Sequence, residues 1–267
     1  MRRVFAFLKK DFLQETSYRL SFFLNILGIF FNLLSYFFID KLFGHTIVRH
    51  LEPFGVNYFA YVLLSSAFFG YAGVGLGAFS DRLRLEQQQG TLEAIVATPT
   101  RISVFLFSLV LWNLIIATVD LIIYLLLAVF LFRIDFQQIN IVSCAVILFL
   151  TITSFSGLGI LSASFVMITK RANPLSWLIG TLEGLLGGVY FPITVLPFWL
   201  QICARLFPIT YAIEAIQSAV YKNYSLEKLL PQIFFLFFFS ITLLPFSILM
   251  FDWAIRRVQK DGSLCQY

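Results

Sequence analysis

The sequence predicts an all-α integral membrane protein, and three observations carry that prediction. Of its 267 residues 60% are apolar and only 12% charged. Its apolar runs are about 20 residues long, the length a helix needs to cross a bilayer, rather than ten-residue alternating strands. Its Lys and Arg fall between those runs. No water satisfies backbone groups in a bilayer core, so a chain of this composition must close its hydrogen bonds within helices.

The N-terminal segment 1–19 reads as an interfacial helix. Val4, Phe5, Leu8 and Phe12 share one arc while Lys9, Lys10 and Glu15 lie elsewhere, although Phe7 and Leu13 blur the division. The apolar stretch Val4 to Leu8 is too short for a signal peptide and lacks a small-residue cleavage site, so the segment is expected to be retained. Spans are expected over 20–39, 58–79, 104–132, 139–168, 175–191 and 233–251, giving six crossings. The stretch from Val195 to Phe207 is too short to cross and is bracketed by Pro192, Pro197 and Pro208, so 192–231 is expected to hold a re-entrant or external segment.

The charges orient this layout. One side receives Arg2, Arg3, Lys9, Lys10, Arg19, Arg82, Arg84, Arg101, Lys170, Arg171, Arg256, Arg257 and Lys260. The other receives Lys41, Arg49, Arg133, Arg205, Lys222 and Lys228, a split of thirteen against six that exhausts the 19 basic residues. By the positive-inside rule both termini are cytoplasmic. The same placement accounts for the net charge of +5 through lipid headgroups and topology, so nucleic acid is not an expected partner. Cys144, Cys203 and Cys265 are odd in number and have no CxxC pair, which signals neither a disulfide framework nor zinc. His45 and His50, five residues apart, do not share a helical face, and no metal site is expected. No Walker loop, nucleophile elbow or H-E-x-x-H occurs, so the chain cannot hold ATP phosphates by the usual loop and is expected to be non-catalytic.

Three regions could carry function. Segment 80–101, from Ser80 through Arg82, Arg84, Glu86, Gly90, Thr91, Leu92 and Glu93 to Thr98-Pro99, has the pattern of a short amphipathic helix on the cytoplasmic face. Either it is a solvated inter-span helix, or it is a knob that enters a groove on a cytoplasmic subunit. The fifth span carries Gly180, Gly184, Gly187 and Gly188 before Tyr190-Phe191-Pro192 breaks it. Such a face packs closely against another span or a second copy, or lines a substrate path. Finally, Asp120 and Glu183 lie within spans, where a central acid costs about 2.5–3.5 kcal/mol, so neither is expected to face lipid. They are read first as hydrogen-bonded structural acids, with Asn25, Asn32 and Asn113 as interhelical hydrogen-bonding groups. The rival is an ion-coupled secondary transporter using Asp120 and Glu183.

The chain resembles the permease subunits of ABC type-2 exporters, the branch with drug and lipo-oligosaccharide exporters. The resemblance rests on Glu86…Gly90-Thr91-Leu92-Glu93…Ala97-Thr98-Pro99 at the position of the family's coupling helix. It rests equally on Gly187-Gly188…Phe191-Pro192…Leu196-Pro197…Pro208-Ile209-Thr210-Tyr211-Ala212…Glu214-Ala215 through the broken fifth span. Ile95-Val96 stands where leucines are frequent in the family, and Thr100 follows Pro99 in place of a frequent leucine. The resemblance implies a half-transporter for an amphiphilic compound, in which two permease chains pair, as a homodimer, around a central path. Two separate ATPase subunits then bind ATP and Mg, grip the loop from Arg82 to Pro99, and drive the path through Gly184, Gly187, Gly188, Phe191, Pro192, Pro197 and Tyr211. The expected location is a bacterial inner membrane or the membrane of a bacterium-derived organelle such as a plastid.

Overall fold

A computed structural model describes residues 2–17, 19–51, 54–88, 102–132, 139–169 and 174–260. Among these the structure is helical throughout, with no strand. In chain order the helices are α1 (Arg2–Ser17), α2 (Arg19–Leu51), α3 (Tyr58–Gln88), α4 (Ile102–Phe132), α5 (Ile141–Thr169), α6 (Pro174–Leu186), α7 (Phe198–Ala204), α8 (Pro208–Tyr221) and α9 (Leu230–Lys260), with a 3-10 turn at Ile193–Val195. Five of them, α2, α3, α4, α5 and α9, are long and apolar enough to cross a bilayer by length and composition.

The bundle is built around α3 and α5. Helix α5 makes its most extensive contacts with α9 and α3, and α3 in turn meets α4 and α2. Sequence explains why α3 and α5 come so close: Gly159 lies against the Gly75 backbone, where any Cβ would collide with the Gly75 carbonyl oxygen. Next to that crossing Phe68, Ala72, Leu76 and Phe155 are buried with Ile209, Ala212 and Ile216 of α8. Toward the other end Phe79, Met167, Phe251 and Ile255 close a second core, against which Phe7 of α1 packs. That contact explains why Phe7 blurred the arc of α1, for Phe5 and Phe12 are exposed while Phe7 turns inward.

Hydroxyls fasten α5 to α9. Ser154 Oγ and Ser240 Oγ are 2.8 Å apart, and Ser240 Oγ also donates to the Leu236 carbonyl at 2.9 Å. In a bilayer such bonds contribute because no water competes for the partners. Asn140 begins α5 by accepting from the Ser143 N–H through its side-chain oxygen at 3.1 Å, an N-cap.

Several boundaries differ from the hydropathy reading, among them α3, which runs to Gln88 rather than 79, and α9, which runs to Lys260 rather than 251. Helix α2 continues to Leu51, past the apolar limit at residue 39, because helical hydrogen bonding does not stop where lipid does. Helix α6 ends at Leu186, five residues before the expected 191, and its 13 residues rise about 20 Å, short of the roughly 30 Å hydrocarbon core.

Candidate functional site at the broken fifth span

Helix α6 stops at Leu186 because the next two residues are glycines in places that only glycine suits. A Cβ at Gly187 would collide with Ile209 Cγ2 and with the Glu183 carbonyl oxygen, so no larger residue fits. Gly188 then adopts φ +84°, a left-handed conformation that costs glycine little and other residues more. Pro192, buried, leads into the 3-10 turn, and Pro197 precedes the first residue of α7. Phe207 is the N-cap of α8, whose first residue is Pro208, a position where the missing N–H costs nothing. Between the break and α9 the chain therefore forms a 3-10 turn and two short helices, α7 and α8.

The break is held against α3 by a chain of hydrogen bonds. Tyr61 Oη donates to the Gly188 carbonyl at 2.7 Å. Gln217 Nε2 of α8 donates to the Tyr61 carbonyl at 2.9 Å and to Ser65 Oγ at 2.7 Å. Tyr221 Oη donates to the Ala60 carbonyl at 2.8 Å, and Thr210 Oγ1 to the Ala204 carbonyl at 2.6 Å. Tyr61, Ser65, Thr210 and Gln217 are all buried. A small cavity of about 50 Å³ lies among Gly187, Gly188, Thr210, Glu214 and Gln217. Burial raises the Glu214 carboxyl above the ordinary glutamate range, and the Arg205 guanidinium offsets part of that rise. Tyr211 is stacked on Phe235 of α9 at 4.5 Å between ring centroids.

The small-residue face of α6 is turned toward α3. A Cβ at Gly184 would stand 3.3 Å from the Phe69 ring, and one at Gly180 would stand 3.8 Å from Leu76. Phe191, partly buried, lies just beyond the break. Glu183 is wholly buried, and neither of its carboxyl oxygens has a hydrogen-bond partner among the described residues. The hydrogen bond expected of a structural acid is therefore not made there. Asp120 behaves differently, for Asn25 Nδ2 donates to its Oδ1 at 2.9 Å across α2 and α4. Asn113 is buried with its Nδ2 unpartnered among the described residues.

At the opposite end of α3, Arg82, Arg84 and Glu86 occupy its last turns, with Arg84 exposed. Gly90, Thr91, Leu92, Glu93, Thr98 and Pro99 lie outside the described residues. From Tyr61 to Arg84 is 23 residues of one helix, about 35 Å. The residue that bonds the break after α6 and the residues Arg82 to Glu86 thus lie toward opposite ends of one helix. Sequence reasoning singled out the glycines and prolines of the break but missed Tyr61, Ser65 and Gln217, which fix it in place. No group of three or more His, Cys, Asp or Glu placed to hold a metal occurs among the described residues.

A bundle of long apolar helices, five of them long enough to cross a bilayer, is the architecture of a multi-pass membrane protein. The family model for the ABC-2 type transporter matches residues 2–221, most of the chain, and the chain belongs to that family. No individual curated protein matches it. It is accordingly a multi-pass membrane protein and an exporter permease of the ABC type, a family in which ATP hydrolysis resides in partner subunits.

Proposed function

We propose that this chain is the membrane half of an ATP-driven exporter for an amphiphilic compound, with six crossings, the short fifth one completed by the irregular stretch after Leu186. Two copies pair around a central path, and two separate ATPase subunits, which bind ATP and Mg, dock on the cytoplasmic loop from Arg82 to Pro99. The observation that carries this reading is the continuity of α3. One helix bears Arg82 to Glu86 at its cytoplasmic end and Tyr61, bonded to Gly188, at its other end. Movement imposed on the loop is thereby delivered to the break as a rigid displacement, and nucleotide binding biases a two-state helix packing without chemistry in this chain.

The test is affinity purification of the tagged chain from its native membrane, with mass spectrometry and an ATPase assay of the eluate. A P-loop ATPase at one copy per permease chain, lost from Gly90→Asp and Glu93→Lys variants that still insert, is the expected result. A chain that elutes alone and transports in liposomes on an ion gradient while ignoring ATP would transfer the function to Asp120 and Glu183.

A further inference from the structure

At the end of the bundle where α8 stops, two lysines stand in a corner whose backbone is pinned. The C-terminus of α8 meets the first turns of α3 and α5 there. Tyr221 Oη donates to the Ala60 carbonyl at 2.8 Å, and the Asn140 N–H donates to the Ala219 carbonyl at 3.3 Å. Asn223 then takes φ +49°, the left-handed conformation on which helices commonly end, and the Tyr224 N–H reaches back to the Ser218 carbonyl at 3.2 Å. Ser143 Oγ of α5 donates to the Tyr224 carbonyl at 3.1 Å, and Leu229, buried, closes the corner before α9 begins.

The side chains of this corner gather positive charge. Lys222 Nζ lies 4.8 Å from the centroid of the Phe54 ring and 5.6 Å from that of Tyr224, while Lys228 Nζ lies 5.1 Å from the same Tyr224 ring. Two ammoniums drawn to one ring repel each other. Among the described residues no carboxylate forms an ion pair with either, although Glu227 adjoins Lys228 in sequence. An ammonium has three N–H donors, and an aromatic face does not use them all. An anion satisfies the remaining donors and relieves the repulsion at the same time.

Depth decides which anion. The apolar stretches of α3, α5 and α9 begin at Tyr58, Ile141 and Leu230, and Phe54 and Lys228 come just before two of those starts. The corner therefore stands at the level of the headgroups, where tyrosine concentrates and lysine meets lipid phosphate. Immediately beyond Lys228, Leu230, Phe234, Phe237 and Ile241 recur at helical spacing along α9 and are all exposed. An apolar track thus continues from the charged corner into the depth of the bilayer.

We propose that this corner binds an anionic phospholipid, its phosphate at Lys222 and Lys228 and an acyl chain along Leu230, Phe234 and Phe237 of α9. The lipid braces the C-terminus of α8, the helix whose Gln217 holds Tyr61 and Ser65 beside the break. The site goes beyond the exporter reading and does not depend on it.

Native mass spectrometry of the purified full-length chain in detergent, with added phosphatidylglycerol or phosphatidylcholine of equal chain length, measures the binding. Phosphatidylglycerol is expected to bind about tenfold tighter and to raise the thermal midpoint where phosphatidylcholine does not. Lys222→Gln and Lys228→Gln each weaken it about fivefold, the effect of one basic residue beside an anionic headgroup. Lys41→Gln, which removes an ammonium that lies over the Phe37 ring of α2 instead, leaves the affinity unchanged. Should Lys222→Gln lower the lipid-free midpoint, Lys228, which is exposed, carries the comparison by itself. Equal affinity for the two lipids, affinity unchanged by Lys228→Gln, or the same loss from Lys41→Gln overturns the site. Displacement of the lipid by glycerol phosphate at matching concentration would make the occupant a soluble anion and overturn the lipid assignment.

Discussion

The Tyr61 hydroxyl donates a 2.7 Å hydrogen bond to the carbonyl oxygen of Gly188, 127 residues further along the chain, and so ties α3 to the break after α6. Both groups are buried, and the Gly188 carbonyl belongs to backbone that has left its helix. Tyr61→Phe removes the donor and keeps the ring. Leaving a buried carbonyl unsatisfied costs about 1–3 kcal/mol. The expected outcome is a lower thermal midpoint in detergent, together with weaker coupling of ATP turnover to transport in reconstituted vesicles. Equal midpoints for the two proteins would show that the bond contributes nothing to holding the break.

Gly187 leaves no room for a side chain beside Ile209. Gly187→Ala forces Ile209 or the backbone to move, a form of overpacking that costs about 1–3 kcal/mol. Ile209→Ala alone opens a cavity and is also destabilising. Because the two residues touch, their effects should not add: the double variant is expected to be more stable than the sum of the singles predicts. Thermal melts of the four proteins give the coupling, and simple additivity would mean that the Glu183 carbonyl oxygen, which also meets a Cβ at 187, sets the cost rather than Ile209.

How much of this was legible from sequence depends on what each feature requires. The apolar runs picked out the five helices long and apolar enough to cross because lipid acts on composition, and the Gly-Gly and Pro spacing marked the break because both residues act on their own backbone. The extension of α2 to Leu51 was not legible, since hydropathy reports the solvent around a helix rather than its hydrogen bonding. Nor was the pairing of Asn25 with Asp120. Each was recognisable as a polar group in need of a partner, but 95 residues separate them and only the packing of α2 on α4 selects that match. Tyr61 and Gln217 were missed for a related reason: in a span rich in Tyr and Ser, no local pattern distinguishes the hydroxyl that meets a broken helix.

Glu183 is wholly buried with both carboxyl oxygens unpartnered among the described residues. A buried polar group without a partner opposes folding, and replacing it with an apolar group of similar shape relieves that opposition. Glu183→Met is therefore expected to raise the thermal midpoint, by an amount corresponding to about 1–3 kcal/mol. ATP-driven transport is expected to persist. A variant as stable as the parent but inactive would assign the carboxyl to the transport cycle instead.

Glu214, in the folded-back segment outside the spans, provides a pH test. Burial raises its carboxyl above the ordinary glutamate range, with Arg205 working in the opposite direction. Between the ordinary and the raised values the folded chain holds a proton that the unfolded chain has released, so stability falls as pH rises through that window. Above it the penalty is complete. Glu214→Gln abolishes the titration and keeps the shape, so its thermal midpoint relative to the parent should climb as pH rises past the ordinary glutamate range and level off above the raised value. A constant difference between the two proteins across that range would mean that Glu214 titrates as it does in the unfolded chain, and that the polar cavity at the break does not hold its proton.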